Sequence, residues 1–272
     1  MPKVLQKLKR HLLLKLSSIL CPQEKPKVVH SRVNGYDLLV FANEDVGRSI
    51  HFCGTHETPE TNYFAKSVAP NSICVDIGAN VGYFTILMAK IAHAGSVHAF
   101  EPISLNAALL RASMEINSLT NIVVNECAVG DRTGSASFVR CFDSAYSSFH
   151  DTGRRHSNGT ITVRMVTLDD YIQSSGVSRV DILKADVEGA EGLVVAGASQ
   201  LLSDRERRPR LVLLELFENN LRAFGSSVRK IVEDMERRDY VPYVLSDDGH
   251  LVRFHENLKE RYCNVWFRPG TT

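Results

Sequence analysis

Short apolar runs alternate with helical repeats through most of this chain. Cys74-Val75-Asp76-Ile77 predicts a buried strand that runs into a turn bracketed by Gly78 and Gly82. Beyond it Phe84, Leu87, Met88 and Ile91 fall at i, i+3, i+4 and i+7, the spacing of one helix face, and Gly95 supplies a stop. Gly95 to Phe100 predicts a second strand. Ser104 is placed to cap a helix that carries Leu105, Leu109, Ala112 and Ile116 on one face. Ile122 to Val129 predicts a third strand, Val180 to Asp186 a fourth and Arg210 to Leu216 a fifth, the last followed by a helix with Val228, Ile231, Val232 and Met235 at core spacing. Strand alternating with helix predicts an α/β fold built on a parallel, doubly wound sheet.

Three stretches interrupt that rhythm. Ala136 to Val139 and Thr160 to Val166 predict an inserted β-hairpin around a long polar loop, Asp143 to Gly159. Tyr240 to Leu245 and Cys263 to Arg268 predict two edge strands around the turn Asp247-Asp248-Gly249. Ahead of the sheet, residues 28–69 predict two short strands and a helix near Thr58, a segment able to cap the domain at 70–268. Residues 1–27 predict an N-terminal helical extension and a linker: Leu5, Leu8, Leu12, Leu16, Ile19 and Leu20 form an apolar stripe among lysines. That stripe is shorter than the ~20 residues a membrane crossing needs. Its expected roles are packing on the domain or self-association, with resting on an anionic membrane surface as the alternative.

Composition narrows the classes. A chain of 272 residues with 44% hydrophobic content can bury a full core. Its net charge of +1 gives no overall field that would draw nucleic acid, and the arginines at 205, 207, 208 and 210 lack the interleaved aromatics of a nucleic-acid footprint. Six cysteines lie scattered without a C-x-x-C pair, which points to reduced thiols and a cytoplasmic location.

The turn after the first strand carries the chemistry. It reads G-x-x-x-G, whereas a helix N-terminus brought onto a pyrophosphate is announced by G-x-G-x-x-G. About twenty residues on, Glu101 ends the second strand, where Rossmann-like folds hold ribose hydroxyls. A nucleoside without phosphates and with an amino-acid tail fits both features, and S-adenosylmethionine has that form. The bland alternative is that Gly78 and Gly82 only let a strand pack closely on a helix.

These residues resemble the FkbM-type family of S-adenosylmethionine-dependent methyltransferases. The likeness rests on Val75 to Gly82 with Phe84-Thr85, on Phe100-Glu101-Pro102, on Ala128 to Asp131, on Thr167-Leu168-Asp169, and on Leu183 to Glu191. The resemblance implies a seven-stranded Rossmann-like methyltransferase sheet. It also implies that Asp76, Gly78, Asn80 and Gly82 surround the methionine tail, that Glu101 holds the ribose, and that Ala128 and Val129 lie against adenine. The implied reaction is methylation of a hydroxyl on a small molecule or glycan.

Asp186 at the end of the fourth strand and Glu188 just beyond it are the candidate catalytic bases, while Glu191 has the position of an acid at a helix start. Tyr146, Ser147 and Ser148 of the hairpin loop and Glu215 of the fifth strand are candidates for the acceptor. Asp186 and Glu215, from adjacent strand ends, could together bind Mg²⁺, but no third ligand is evident and no metal is assigned. Two rivals stay open: a nicotinamide-dependent oxidoreductase and a non-catalytic cofactor-binding module.

Overall fold

The computed structural model describes residues 13–14, 26–254 and 263–270. Most of the predicted N-terminal helix lies outside the described residues. The chain opens with an antiparallel pair, β1 (Val28–Val33) and β2 (Tyr36–Phe41), and two helices, α1 (Asp45–Cys53) and α2 (Thr58–Ser67). A wound unit follows: β3 (Ile73–Ile77), α3 (Tyr83–Ile91), β4 (Ser96–Phe100), α4 (Ser104–Ile116) and β5 (Ile122–Asn125). The inserted strands are β6 (Ala128–Val129), β7 (Gly134–Cys141) and β8 (Ser157–Val166). The chain then returns to the main sheet through α5 (Leu168–Ser175), β9 (Ile182–Ala185), α6 (Glu191–Gly197), α7 (Ser199–Ser203) and β10 (Leu211–Leu216). It ends with α8 (Glu218–Ala223), α9 (Val228–Arg237), β11 (Tyr240–Leu245), β12 (Leu251–Arg253) and β13 (Cys263–Pro269).

The main sheet has the order β12-β11-β13-β10-β9-β3-β4-β5. The run from β10 to β5 is parallel, and β13 enters antiparallel between β10 and β11. From β3 the chain winds one way to β4 and β5, then resumes on the other side with β9 and β10. The carboxyl ends of β3 and β9 therefore flank the point where strand order reverses, the general place for a ligand in an open α/β sheet. Apolar residues fill both faces. One layer packs Leu110, Met88, Ile86 and Trp266 against the cap strands, and the other packs Leu168, Val194, Leu214 and Met235.

The sheet has eight strands where seven were expected, because the three-residue β12 adds an outer edge to β11. Cys263 to Pro269 is not an edge strand, since β10 and β11 pair on either side of it. The third predicted strand is two: β5 stays in the main sheet, while Ala128–Val129 crosses to pair with Met165–Val166 of the insertion. Helix α4 presents another face than the apolar stripe predicts. Leu105 and Ile116 are half exposed, while Asn106, Leu109, Leu110 and Ser113 are buried. Ser104 is the first helical residue, and Ile103 stands at the cap position without a side-chain bond. The polar face turns inward because it serves the cap: the Leu39 N–H donates to Ser113 Oγ at 3.0 Å and the Asp37 N–H to Asn117 Oδ1 at 3.0 Å.

Leu214 is fully buried in β10, next to Glu215. Leu214→Ala is expected to cost about 2–5 kcal/mol, read as a lower midpoint in urea unfolding.

Candidate active site

The turn between β3 and α3 uses up its own backbone donors. The N–H groups of Gly78 and Ala79 both donate to the Phe100 carbonyl at 3.0 Å, which lashes the turn to the end of β4. Asn80 N–H donates to Glu101 Oε2 at 2.8 Å, Val81 N–H to Asn80 Oδ1 at 2.7 Å, and Gly82 N–H to the Ala79 carbonyl at 2.9 Å. Gly78 has φ +75, and a Cβ there would lie 1.9 Å from the Asp186 carbonyl oxygen, so the ends of β3 and β9 meet backbone to backbone. Gly82, at φ +92, instead makes room for Leu110 of α4, whose Cδ1 would stand 2.3 Å from an added Cβ. It does the packing work of the bland alternative.

Glu101 is buried and holds two further donors on Oε1, the Ile103 N–H at 2.9 Å and Asn106 Nδ2 at 3.4 Å. A carboxylate has about four acceptor sites and three are taken, so room is left for about one hydroxyl donor. Glu101 opens into a cavity at the carboxyl edge of the sheet. Gly78, Asn80, Ala128, Val129, Ser147, Asp186 and Glu188 share its walls. Phe149 of the hairpin loop, with Ile103 and Phe138, which sequence reasoning did not single out, makes its other sides apolar. Flat apolar walls suit a purine and Glu101 suits a ribose. With the turn's donors spent, no comb of N–H groups is left there for a pyrophosphate. The residues present thus fit the nucleoside of S-adenosylmethionine.

A second cavity adjoins the first through Asp186 and Glu188, and adds Asp45, Arg48, His56, Glu57, Tyr146, Arg154 and Glu215, with Leu14 from the N-terminal segment. Glu188 sits at φ +54, a strained conformation for a glutamate, and packing and bonds on every side hold it there. Its carboxylate accepts from Arg154 Nη1 at 2.6 Å and Asn220 Nδ2 at 2.5 Å, and its carbonyl accepts from Ser148 Oγ at 3.1 Å. The Arg154 guanidinium stacks 4.5 Å from the Tyr146 ring centre and 4.9 Å from that of Phe217. Tyr146 donates to Asp45 Oδ2 at 2.8 Å, which ties the hairpin loop to the cap. Burial and the neighbouring Asp186 carboxylate push Glu188 up to about 7. Asp186 itself is held below the usual range: burial opposes this, but Lys184 and a hydrogen bond with Glu215 prevail.

Asp76, Gly82 and Ser148 line none of these cavities. Asp76 is fully buried, accepting from Thr85 Oγ1 at 2.5 Å beside Lys184. Ser148 is spent on the carbonyls of Val187 and Glu188. Glu191 is also structural, its Oε1 accepting from the Val187 N–H at 3.0 Å. The third acidic ligand missing from the sequence pattern is Glu188: one oxygen each from Asp186, Glu188 and Glu215 lie within 4.8 Å of one another, a spacing that could hold a cation. Asp45, Arg48, His56 and Glu57 escaped notice because their segment gives only weak individual signals.

Burial raises Glu44, Glu101 and Glu188 to about 7 and Glu191 to about 8. Each of these acids keeps its proton in the folded chain at a pH where the unfolded chain has lost it, so stability falls as pH rises from ~4.5 through ~8. Buried His98, with its pKa lowered, pulls the other way, but it is one group against these four and against Asp143 and Glu215, which burial also raises. The thermal midpoint of the cofactor-free protein is therefore expected to be lower at pH 8 than at pH 5.5. Scanning calorimetry reads it, and a flat or rising midpoint would contradict these assignments.

Comparison with known proteins completes the identification. The methyltransferase FkbM domain family matches residues 76–242. The 31-O-demethyl-FK506 methyltransferase FkbM of Streptomyces tacrolimicus is 32% identical over 157 residues, covering 47% of this chain and 60% of that protein. The chain thus spans about three fifths of that relative's length. The 2-O-methyltransferase NoeI of Sinorhizobium fredii (strain NBRC 101917 / NGR234) is 25% identical over 178 residues, covering 60% of this chain and 71% of that protein. Among solved structures, an rRNA methylase from Streptococcus thermophilus aligns with a TM-score of 0.46 at 11% identity, over 78% of this chain and 95% of that one. On the family match, with a site fitted to its cofactor, this chain belongs to the FkbM-type methyltransferases, whose methyl donor is S-adenosylmethionine.

Proposed function

We propose that the protein is an O-methyltransferase that acts on a hydroxyl of a small molecule or glycan. The observation that carries this reading is the pairing of a phosphate-free nucleoside cavity with a second cavity across Asp186 and Glu188. The relatives named for methylating oxygen, FkbM and NoeI, support it. When bound, S-adenosylmethionine supplies an electrophilic methyl group on a sulfonium. The protein holds the acceptor oxygen in line with it and takes up the hydroxyl proton.

Glu188 is suited to receive that proton. It faces both cavities, and its pKa of about 7 lies near working pH, where a general base is most effective. Arg154 and Asn220 fix the direction of its carboxylate. Asp186, shared by the two cavities, keeps negative charge beside the reacting centre, while Glu215 and Tyr146 line the acceptor side. An oxidoreductase using a nicotinamide dinucleotide would need turn donors for its phosphates, and those are bonded within the protein.

The reading includes a cytoplasmic location, supported by the free thiols Cys53, Cys74, Cys127 and Cys141. No helix among the described residues is long and apolar enough to cross a membrane. Leu14 lines the second cavity, which supports contact between that residue and the domain.

Calorimetry is expected to show binding of S-adenosylhomocysteine and none of NAD, with Glu101→Ala weakening the former by at least about tenfold. Glu188→Gln is expected to lower methyl transfer from radiolabelled S-adenosylmethionine into a small-molecule extract by about 10²–10⁴-fold, with affinity for S-adenosylhomocysteine nearly unchanged. A Glu188→Gln protein with full turnover would refute the base assignment. Tight NAD binding would refute the cofactor pocket.

A further inference from the structure

Arg154 belongs to two spaces at once. It lines the second cavity, on the acceptor side, and also an open groove along the hairpin loop beside Phe142, Arg155 and His156. Its side chain is 25% exposed, and the rings of Tyr146 and Phe217, with centres at 4.5 and 4.9 Å, fix its guanidinium. A guanidinium carries five N–H donors. Among the described residues Arg154 makes one hydrogen bond, from Nη1 to Glu188. The other arginine of the cavity is committed to the cap: Arg48 bonds Asp45 through Nη1 at 3.4 Å and the Asn43 carbonyl through Nη2 at 2.8 Å.

The charges around Arg154 are uneven. Apart from Glu57 on the cap side, the other acids of the cavity are answered inside the protein: Arg155 and Arg48 face Asp45, Lys184 faces Asp186, and burial keeps Glu215 protonated. Among the described residues Arg154 has one ion-pair partner, Glu188, and that is the group suited to take up the hydroxyl proton. As methyl passes from the donor sulfur to the acceptor oxygen, the O–H bond breaks, its proton goes to the Glu188 carboxylate, and the guanidinium loses the negative charge opposite it. In a largely buried place that loss is costly unless the acceptor supplies another charge. Planar N–H donors in a fixed fork match an oxyanion, whether a carboxylate or a phosphate or sulfate ester. We propose that the acceptor carries, besides its hydroxyl, an oxyanion that Arg154 binds. The assignment rests on the methyltransferase reading and narrows its substrate class to hydroxylated acids. An anion held there also favours the protonated form of Glu188, so the contact that seats the acceptor helps the base receive the proton.

The charge of the methylated product tests this. A small-molecule extract is split on an anion exchanger at about pH 7 into retained and unretained fractions, and each is offered to the protein with radiolabelled S-adenosylmethionine. Label is expected in the retained fraction. Rechromatography at about pH 2 then separates the two sources of charge, because a carboxylate is neutral there and washes out while a phosphate or sulfate ester stays bound. With the retained fraction as acceptor, Arg154→Gln is expected to raise the half-saturating amount about 10- to 100-fold, the worth of a charged hydrogen bond, and Arg154→Lys to recover part of the loss. Calorimetry with S-adenosylhomocysteine is expected to change by less than about threefold in both variants, which also shows that they fold. Asn220→Ala is the control: it removes the other anchor of Glu188 and leaves the guanidinium, so it is expected to lower the maximal rate with half-saturation unchanged. Label confined to the unretained fraction, or an Arg154→Gln protein that loses rate alone as Asn220→Ala does, overturns the assignment. Wild-type protein that fails to bind S-adenosylhomocysteine would overturn the methyltransferase reading itself, a failure distinct from these.

Discussion

The backbone N–H groups from Gly78 to Gly82 are all satisfied inside the protein, and the rest of the site follows from that constraint. A turn with free donors at a helix N-terminus attracts phosphate. Here the Phe100 carbonyl takes two donors, Glu101 takes a third, and the turn becomes a rigid wall with little to offer an anion. Recognition passes to side chains, with Glu101 on one wall of the cavity and the apolar residues Phe138 and Phe149 of the insertion on another. Gly78 is required on geometric grounds, since any larger residue would meet the Asp186 carbonyl. One close contact therefore sets the distance between the nucleoside wall and the carboxylates that face the acceptor.

Gathering carboxylates in the interior is costly, and the structure meets the cost in several ways. Lys184 answers Asp76 and Asp186, Arg154 answers Glu188, and a hydrogen bond links Glu215 to Asp186. Burial drives Glu215 well above the usual carboxylate range, so it holds a proton where Asp186 does not. The two acids sit in one place with a single negative charge between them, as like charges at short range require. Arg154 is itself steadied by the Tyr146 and Phe217 rings, so the charge balance extends into the loops that close the acceptor space.

Much of the wound sheet was legible because its signals are local. Apolar runs such as Ile73–Ile77 and Leu211–Leu216 are buried on both faces, and the glycine turn and Glu101 stand at fixed spacing. What was not legible depends on distant chain. Leu105 and Ile116 looked like a core face, but Ser113 and Asn117 were needed to satisfy the backbone of β2, a segment far away in sequence. The insertion of β13 between β10 and β11 leaves no local mark. At the site, Asp186 and Glu188 were visible from their motif, whereas Glu57 and His56 reach it only because the cap folds over the sheet. Lys184 was read as part of a strand, since a lone lysine in an apolar run gives no hint of the two acids that will flank it.

The central claim is that a phosphate-free nucleoside sits between Glu101 and the Asp186–Glu188 carboxylates. A crystal structure of the protein with S-adenosylhomocysteine tests it most directly. The expected result has a ribose hydroxyl on Glu101, adenine between Ile103 and the phenylalanines of the insertion, and the sulfur at the junction beside Asp186. A nucleoside bound elsewhere, or a ribose turned away from Glu101, would contradict it.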